Sequence, residues 1–142
     1  MYSRSHIVDT AKAWLGTPYH DQACVRGVGC DCLGLLRGVF VEITGRTPEE
    51  PMNYSPNWGN VDKDERLLQA GHKYLVPVDY DGWKPGDVLV FRVKRAASAK
   101  HCAIAVSETE MIHAVSGRNV CITTIGVWAT HLAGVFKFPG VK

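Results

Sequence analysis

The chain has 142 residues, of which 46% are hydrophobic and 21% charged, enough apolar content to bury a core without staples. A net charge of +2 is too small and too scattered for a nucleic-acid binder, and the one basic cluster, Arg92, Lys94, Arg95 and Lys100, reads as a solvated loop. No apolar run is long enough to span a membrane, and the charged N-terminal stretch lacks the form of a signal peptide, so the expectation is a single domain over residues 1–142 made in a reducing cytoplasm.

Ile7, Ala11, Trp14 and Leu15 recur at helical spacing, which predicts an amphipathic helix over residues 3–15 stopped by Gly16 and Pro18. The Gly-rich stretch GTPYHDQACVRGVGCD then reads as a loop. A second helix starts near Cys32, with Leu35, Leu36, Val39 and Phe40 on its apolar side, and ends at Gly45. Asp31 sits where an N-cap belongs. Residues 46–60 are rich in Pro and Asn and read as an irregular connection, and a short polar helix follows within residues 61–75.

From residue 82 onward the character changes. Lys84-Pro85-Gly86-Asp87 is turn chemistry leading into a strand over residues 87–93. Further strands are predicted at residues 101–106, 110–115, 120–125 and 134–138. Helices first and neighbouring strands afterwards indicate an α+β domain rather than βαβ units.

The chemistry turns on five cysteines. An odd count without an export signal makes a disulfide scaffold a poor fit. A zinc site would draw on Cys24, Cys30 and Cys32 with His20 or His101, but Cys-x₅-Cys-x-Cys departs from the paired knuckles that structural zinc sites use. The third reading is a nucleophile. Cys32 lies at the first turn of an apolar helix, where unpaired N–H groups stabilise a thiolate. Cys30 reads as a loop cysteine, and Cys24, Cys102 and Cys121 read as packing residues.

A nucleophilic cysteine needs a base, and two histidines lie among the strands. His101, Ala103 and Ala105 share one face of their strand. His113 joins that face only if the connection has an odd number of residues or carries a bulge. A loop of Ser107 to Thr109 places His113 opposite Ala103 and diagonal to His101, roughly 7 Å between backbones. The small Ala103 and Ala105 then suggest that the Cys32 helix packs on this same face.

GTPY, CDCLGLLRGVF, KPGDVLVF, HCAIAV and MIHAV occur in the order and approximate spacing of NlpC-like cell-wall cysteine peptidases, which the chain resembles over Ala11 to about Gly126. The DCLGL wording is most similar to the phage and prophage tail-associated branch. The resemblance implies a compact papain-like fold, with N-terminal helices packed on an antiparallel sheet or partial barrel. It places the nucleophile on Cys32, the base on His101 and the orienting residue on His113, with no cofactor and no metal. Tyr19, Asp31 and Leu33 fall at substrate-binding or oxyanion positions. The implied reaction is hydrolysis of the γ-D-glutamyl–diamino acid bond of peptidoglycan stem peptides, with phage tail proteins as further partners and delivery in a phage-like particle or at lysis.

Two departures from the family pattern stand out. HDQACVRG follows Tyr19 where members often carry Trp-Gly-Gly, and Leu33 replaces a serine that in some members helps bind the free amine of a stem peptide. Competing readings are a thiol-dependent amidase or acyltransferase on another substrate, and a non-catalytic tail- or wall-binding module. Trp58 is the tryptophan most expected to touch a ligand.

Overall fold

A computed structural model of the protein describes residues 2–48, 65–80, 82–92 and 99–142. The bulk of the Pro/Asn-rich connection with Trp58, the start of the polar helix, and Lys94 and Arg95 lie outside the described residues.

Helix α1 spans Arg4–Lys12, with the Ser3 side chain accepting from the His6 N–H as its N-cap. A short antiparallel hairpin of β1 (Cys24–Val25) and β2 (Gly29–Cys30) occupies the stretch expected to be a loop. Cys30 is thus a buried strand residue, paired directly with Cys24, and not a loop cysteine. Helix α2 runs Cys32–Thr44 and stops at Gly45, whose left-handed φ of 71° carries the Val41 carbonyl bond that ends the helix. Helix α3 spans Arg66–Tyr74.

A six-stranded antiparallel sheet forms the second layer, in the order β3 (Val76–Pro77), β8 (Leu132–Lys137), β4 (Val88–Phe91), β5 (His101–Ala105), β6 (Glu110–His113) and β7 (Cys121–Thr124). A 3₁₀ helix at Gly126–His131 links β7 to β8. The architecture is α+β, as expected from the order of helices and strands.

The KPGD turn is tied to α1. Asp87, almost fully buried, accepts from Arg4 Nη1 at 2.6 Å and from the Lys84 N–H at 2.9 Å. Gly86 has φ 90°, and a Cβ there would sit 3.3 Å from the Arg4 carbonyl oxygen, so the turn needs glycine for both conformation and approach.

The sheet divides two apolar cores. Leu35 and Val39 of α2, with Ile7, Ala11 and Trp14, pack on the face of Val88, Val90, Cys102, Ile104 and Ile112. Burial of side chains such as Leu35 and Val39 contributes about 1.5–3 kcal/mol each. The opposite face carries Leu89, Phe91, Ala103, Ala105, Met111 and Val135, covered by Ile125, Trp128 and Leu132. Helix α2 therefore lies on the Cys102/Ile104 face, contrary to the expectation that it packs on Ala103 and Ala105. Cys102 and Ile104 meet Leu35 and Val39 on the helix side, while Ala103 and Ala105 leave depth for Trp128 on the other.

Candidate active site

The site forms where the N-terminus of α2 meets the start of β5. Asp31 caps α2 through Oδ1, which accepts from the Gly34 N–H at 2.7 Å. Its Oδ2 accepts from the Gln22 N–H at 2.8 Å, so one buried carboxylate joins the helix end to the preceding loop. Gly34 lies against the same loop: a Cβ there would come within 1.9 Å of the Ala23 carbonyl oxygen. These contacts fix where the first helical residue, Cys32, can stand.

The Cys32 thiol is 3.6 Å from the Lys100 carbonyl oxygen, beside the first residues of β5. Cys102 Sγ lies 3.3 Å from the Cys32 carbonyl oxygen. Hydrogen bonding from Cys102 pulls the Cys32 thiol well below the ordinary cysteine range, and the hydrogen bond and charge of His101 act the same way; burial opposes them. The same contact, with burial, drives Cys102 upward. Of the two thiols, Cys32 is therefore the one that ionises more readily and Cys102 the one that holds its proton more tightly.

His101 and His113 come from the opposite face of the sheet. The pairings Ile104↔Ile112 and Ala105↔Met111 leave Ser107 to Thr109 as the loop, which is the predicted register. His101 Nε2 is 2.9 Å from His113 Nδ1, and His113 Nε2 is 2.9 Å from Thr123 Oγ1. His113 is 2% exposed, and burial first, then the charges of His101 and Arg118, lowers it to about 4. It is neutral near pH 7 and carries a single ring proton. When His101 is an imidazolium, its Nε2–H donates to His113 Nδ1. The His113 proton must then sit on Nε2, donating to the Thr123 hydroxyl oxygen.

Trp128 packs on both imidazoles, with ring centroids 4.9 Å from His101 and 5.7 Å from His113, and Phe91 stacks on His101 from the neighbouring strand at 6.0 Å. The indole face favours a cationic ring beside it.

The remaining predicted positions separate. Tyr19 adjoins the site: its backbone bridges to Cys30, and burial, with a smaller contribution from Cys32, pushes its hydroxyl up to about 12. Asp31 is a structural cap. Leu33 lines an apolar groove between α2 and α3 with Leu36, Phe40 and Leu67. Cys30 is pushed up to about 12, chiefly by burial, and Cys24 donates its thiol to the Gly34 carbonyl at 3.0 Å. The sulfurs of Cys24, Cys30 and Cys32 belong to no metal-binding group among the described residues.

Sequence reasoning missed Thr123, Trp128 and the part Cys102 plays. Thr123 had a legible signal. His113 pairs with Cys121, so Thr123, two residues on, shares the histidine face.

Solved structures with this fold include the NlpC/p60 domain of the peptidoglycan hydrolase SagA, 24% identical over 96% of this chain and 100% of that domain, with a TM-score of 0.69. An NlpC/P60 family protein from Bacillus cereus is 23% identical with a TM-score of 0.71, and the match takes in 96% of this chain but 40% of that one. NlpC2 from Trichomonas vaginalis is 16% identical over 95% of this chain and 46% of its own, with a TM-score of 0.66. No curated protein sequence matches the chain. The NlpC/P60 family pattern runs over residues 16–137, from the glycine ahead of Tyr19 to the end of β8, and the chain belongs to this family of cysteine peptidases.

Proposed function

We propose that the protein is a cysteine endopeptidase that cleaves peptidoglycan stem peptides at the γ-D-glutamyl–diamino acid bond, with Cys32 as nucleophile, His101 as base and His113 as the residue that orients it. The observation that carries this reading is the continuous line from the lowered Cys32 thiol through His101 to a neutral His113 anchored on Thr123.

The Cys32 thiolate attacks the amide carbonyl, and the charge that develops on the carbonyl oxygen is met by the backbone N–H of Cys32, in the helix turn whose N–H groups have no intrahelical acceptor. His101 passes its proton to the leaving amine, and the acyl group remains on sulfur as a thioester. Water, deprotonated by the now neutral His101, hydrolyses the thioester and regenerates the Cys32–His101 ion pair. His113 accepts from Nε2 of His101 throughout, which holds the other imidazole nitrogen toward the sulfur. No cofactor enters this sequence.

Work in a phage tail or similar particle, acting locally on the wall, is part of the same proposal, and its support is the DCLGL wording at Asp31 to Leu35. Mass spectrometry of defined stem peptides incubated with the protein and with Cys32→Ser tests the chemistry. Products split at the γ-D-glutamyl–diamino acid bond, absent with the variant, are expected. Cleavage at another amide would replace the substrate assignment while keeping the nucleophile.

A further inference from the structure

Beyond His113, on the sheet face opposite the helices, a cleft of about 290 Å³ opens between the β6–β7 turn and the 3₁₀ helix. His113, Arg118, Thr123, Thr124 and Trp128 line it. The lining thus holds a guanidinium and an imidazole but no carboxylate. Arg118 is set by its turn, its N–H donating to the Val115 carbonyl at 3.0 Å beside Gly117 with φ 83°. Its side chain has no ion pair or hydrogen bond among the described residues, yet its charge is felt by His113. Thr123 accepts from His113 Nε2, which leaves its own O–H proton to donate. A planar cation, hydroxyl donors and an indole wall, with no acidic side chain to neutralise them, make a receptor for a carboxylate.

The position of the cleft assigns the part of the substrate that reaches it. The acyl half is held at Cys32, on the side of α2 and Tyr19. His113, which meets His101 Nε2 at 2.9 Å, forms one wall of this cleft, so the cleft lies one ring beyond the group that protonates the leaving amine. We propose that the Arg118 cleft is a carboxylate subsite for the leaving half of the substrate, with Arg118 as a specificity-determining residue. This inference rests on the endopeptidase reading above. Two groups supply that chemistry: the side-chain carboxylate of an acidic diamino acid such as diaminopimelate, and the C-terminal carboxylate of the residue that follows it.

The test uses stem peptides containing either diaminopimelate or lysine, each with a free or an amidated C-terminus. The wild-type protein should favour a carboxylate-bearing member by about tenfold or more in kcat/KM, as expected when a charged hydrogen-bonding partner is present or missing. Which pair shows the preference identifies the source. Arg118→Gln should bring that preference close to parity by raising KM on the preferred peptide, and Arg118→Lys should restore part of it. An equal loss on all four peptides overturns the subsite.

Binding separates this from failure of the endopeptidase reading. Titration of a diaminopimelyl-D-alanine dipeptide should shift the Trp128 indole N–H resonance saturably in the wild-type protein, and far more weakly in Arg118→Gln. An unshifted signal, or equal affinity in the two proteins, overturns the subsite whether or not any stem peptide is cleaved.

Discussion

His101 Nε2 and His113 Nδ1 meet at 2.9 Å across adjacent strands, 12 residues apart in sequence, and His113 in turn holds Thr123 Oγ1 at 2.9 Å. Each ring leaves the next only one productive tautomer.

Breaking this line should reduce turnover more than binding. His113→Ala is expected to lower kcat on a cleaved stem peptide by about 10²–10³-fold, the range of a mispositioned acid–base group. His113→Asn keeps an acceptor for His101 and should lose less. Thr123→Val leaves His113 in place but removes the acceptor for Nε2–H, and about a tenfold loss in kcat with little change in KM is expected. Steady-state kinetics of the three variants checks the order, and a Thr123→Val enzyme equal to wild type would remove Thr123 from the line.

Alkylation with iodoacetamide across pH should show Cys32 reacting with an inflection well below that of an ordinary thiol. Since hydrogen bonding from Cys102 is the largest cause of that lowering, Cys102→Ala should move the inflection upward. Cys30, held near 12 by burial, should stay unmodified until the protein unfolds. An unmoved inflection in Cys102→Ala would assign the lowering to His101.

The depressed His113 ring makes stability depend on pH. In the unfolded chain it titrates near 6.5 and in the folded protein near 4, so between these values the unfolded state binds the extra proton. Its stabilising contribution is complete above about 6.5 and lost as pH falls toward 4, on the order of 3 kcal/mol in all. Urea midpoints at pH 7.5 and 4.5 should therefore fall further for wild type than for His113→Asn. Equal falls would show that His113 is not held neutral.

Gly34→Ala puts a methyl group into the Ala23 carbonyl, which belongs to backbone and cannot rotate away. A cost of about 3 kcal/mol is expected, at the upper end for overpacking, together with loss of Cys32 reactivity as the helix end shifts. Urea denaturation and alkylation rate measured on one variant check both. A stable, fully reactive Gly34→Ala protein would mean that the loop yields and does not clamp the helix.

The parts of this site that the sequence revealed are those set by local rules. The Asp31 cap, the Gly45 stop and the KPGD turn each follow from a few adjacent residues. The meeting of His101 and His113 needed only the parity of a short loop, because side chains alternate along a strand. The face that receives α2 is not legible in the same way. Cys102 and Ile104 on one side, and Ala103 and Ala105 on the other, are all apolar, and the choice depends on Leu35, Val39 and Trp128, which lie far away in sequence. The β1–β2 hairpin was hidden for a related reason: its strands are two residues each and are held by Pro18, Tyr19 and α2 rather than by their own propensity. Trp128 sits in a 3₁₀ segment with no periodicity to announce it.

The proposed nucleophile and its proposed base reach the start of β5 from two different layers, Cys32 with the helices and His101 with the strands. Neither layer alone contains an activated thiol. A chain whose helices have come away from the sheet carries an ordinary cysteine, with no imidazole beside it and no docked helix end to favour the anion. Folding is thus the activation step, and the rate at which Cys32 is alkylated reads directly whether the two layers have closed.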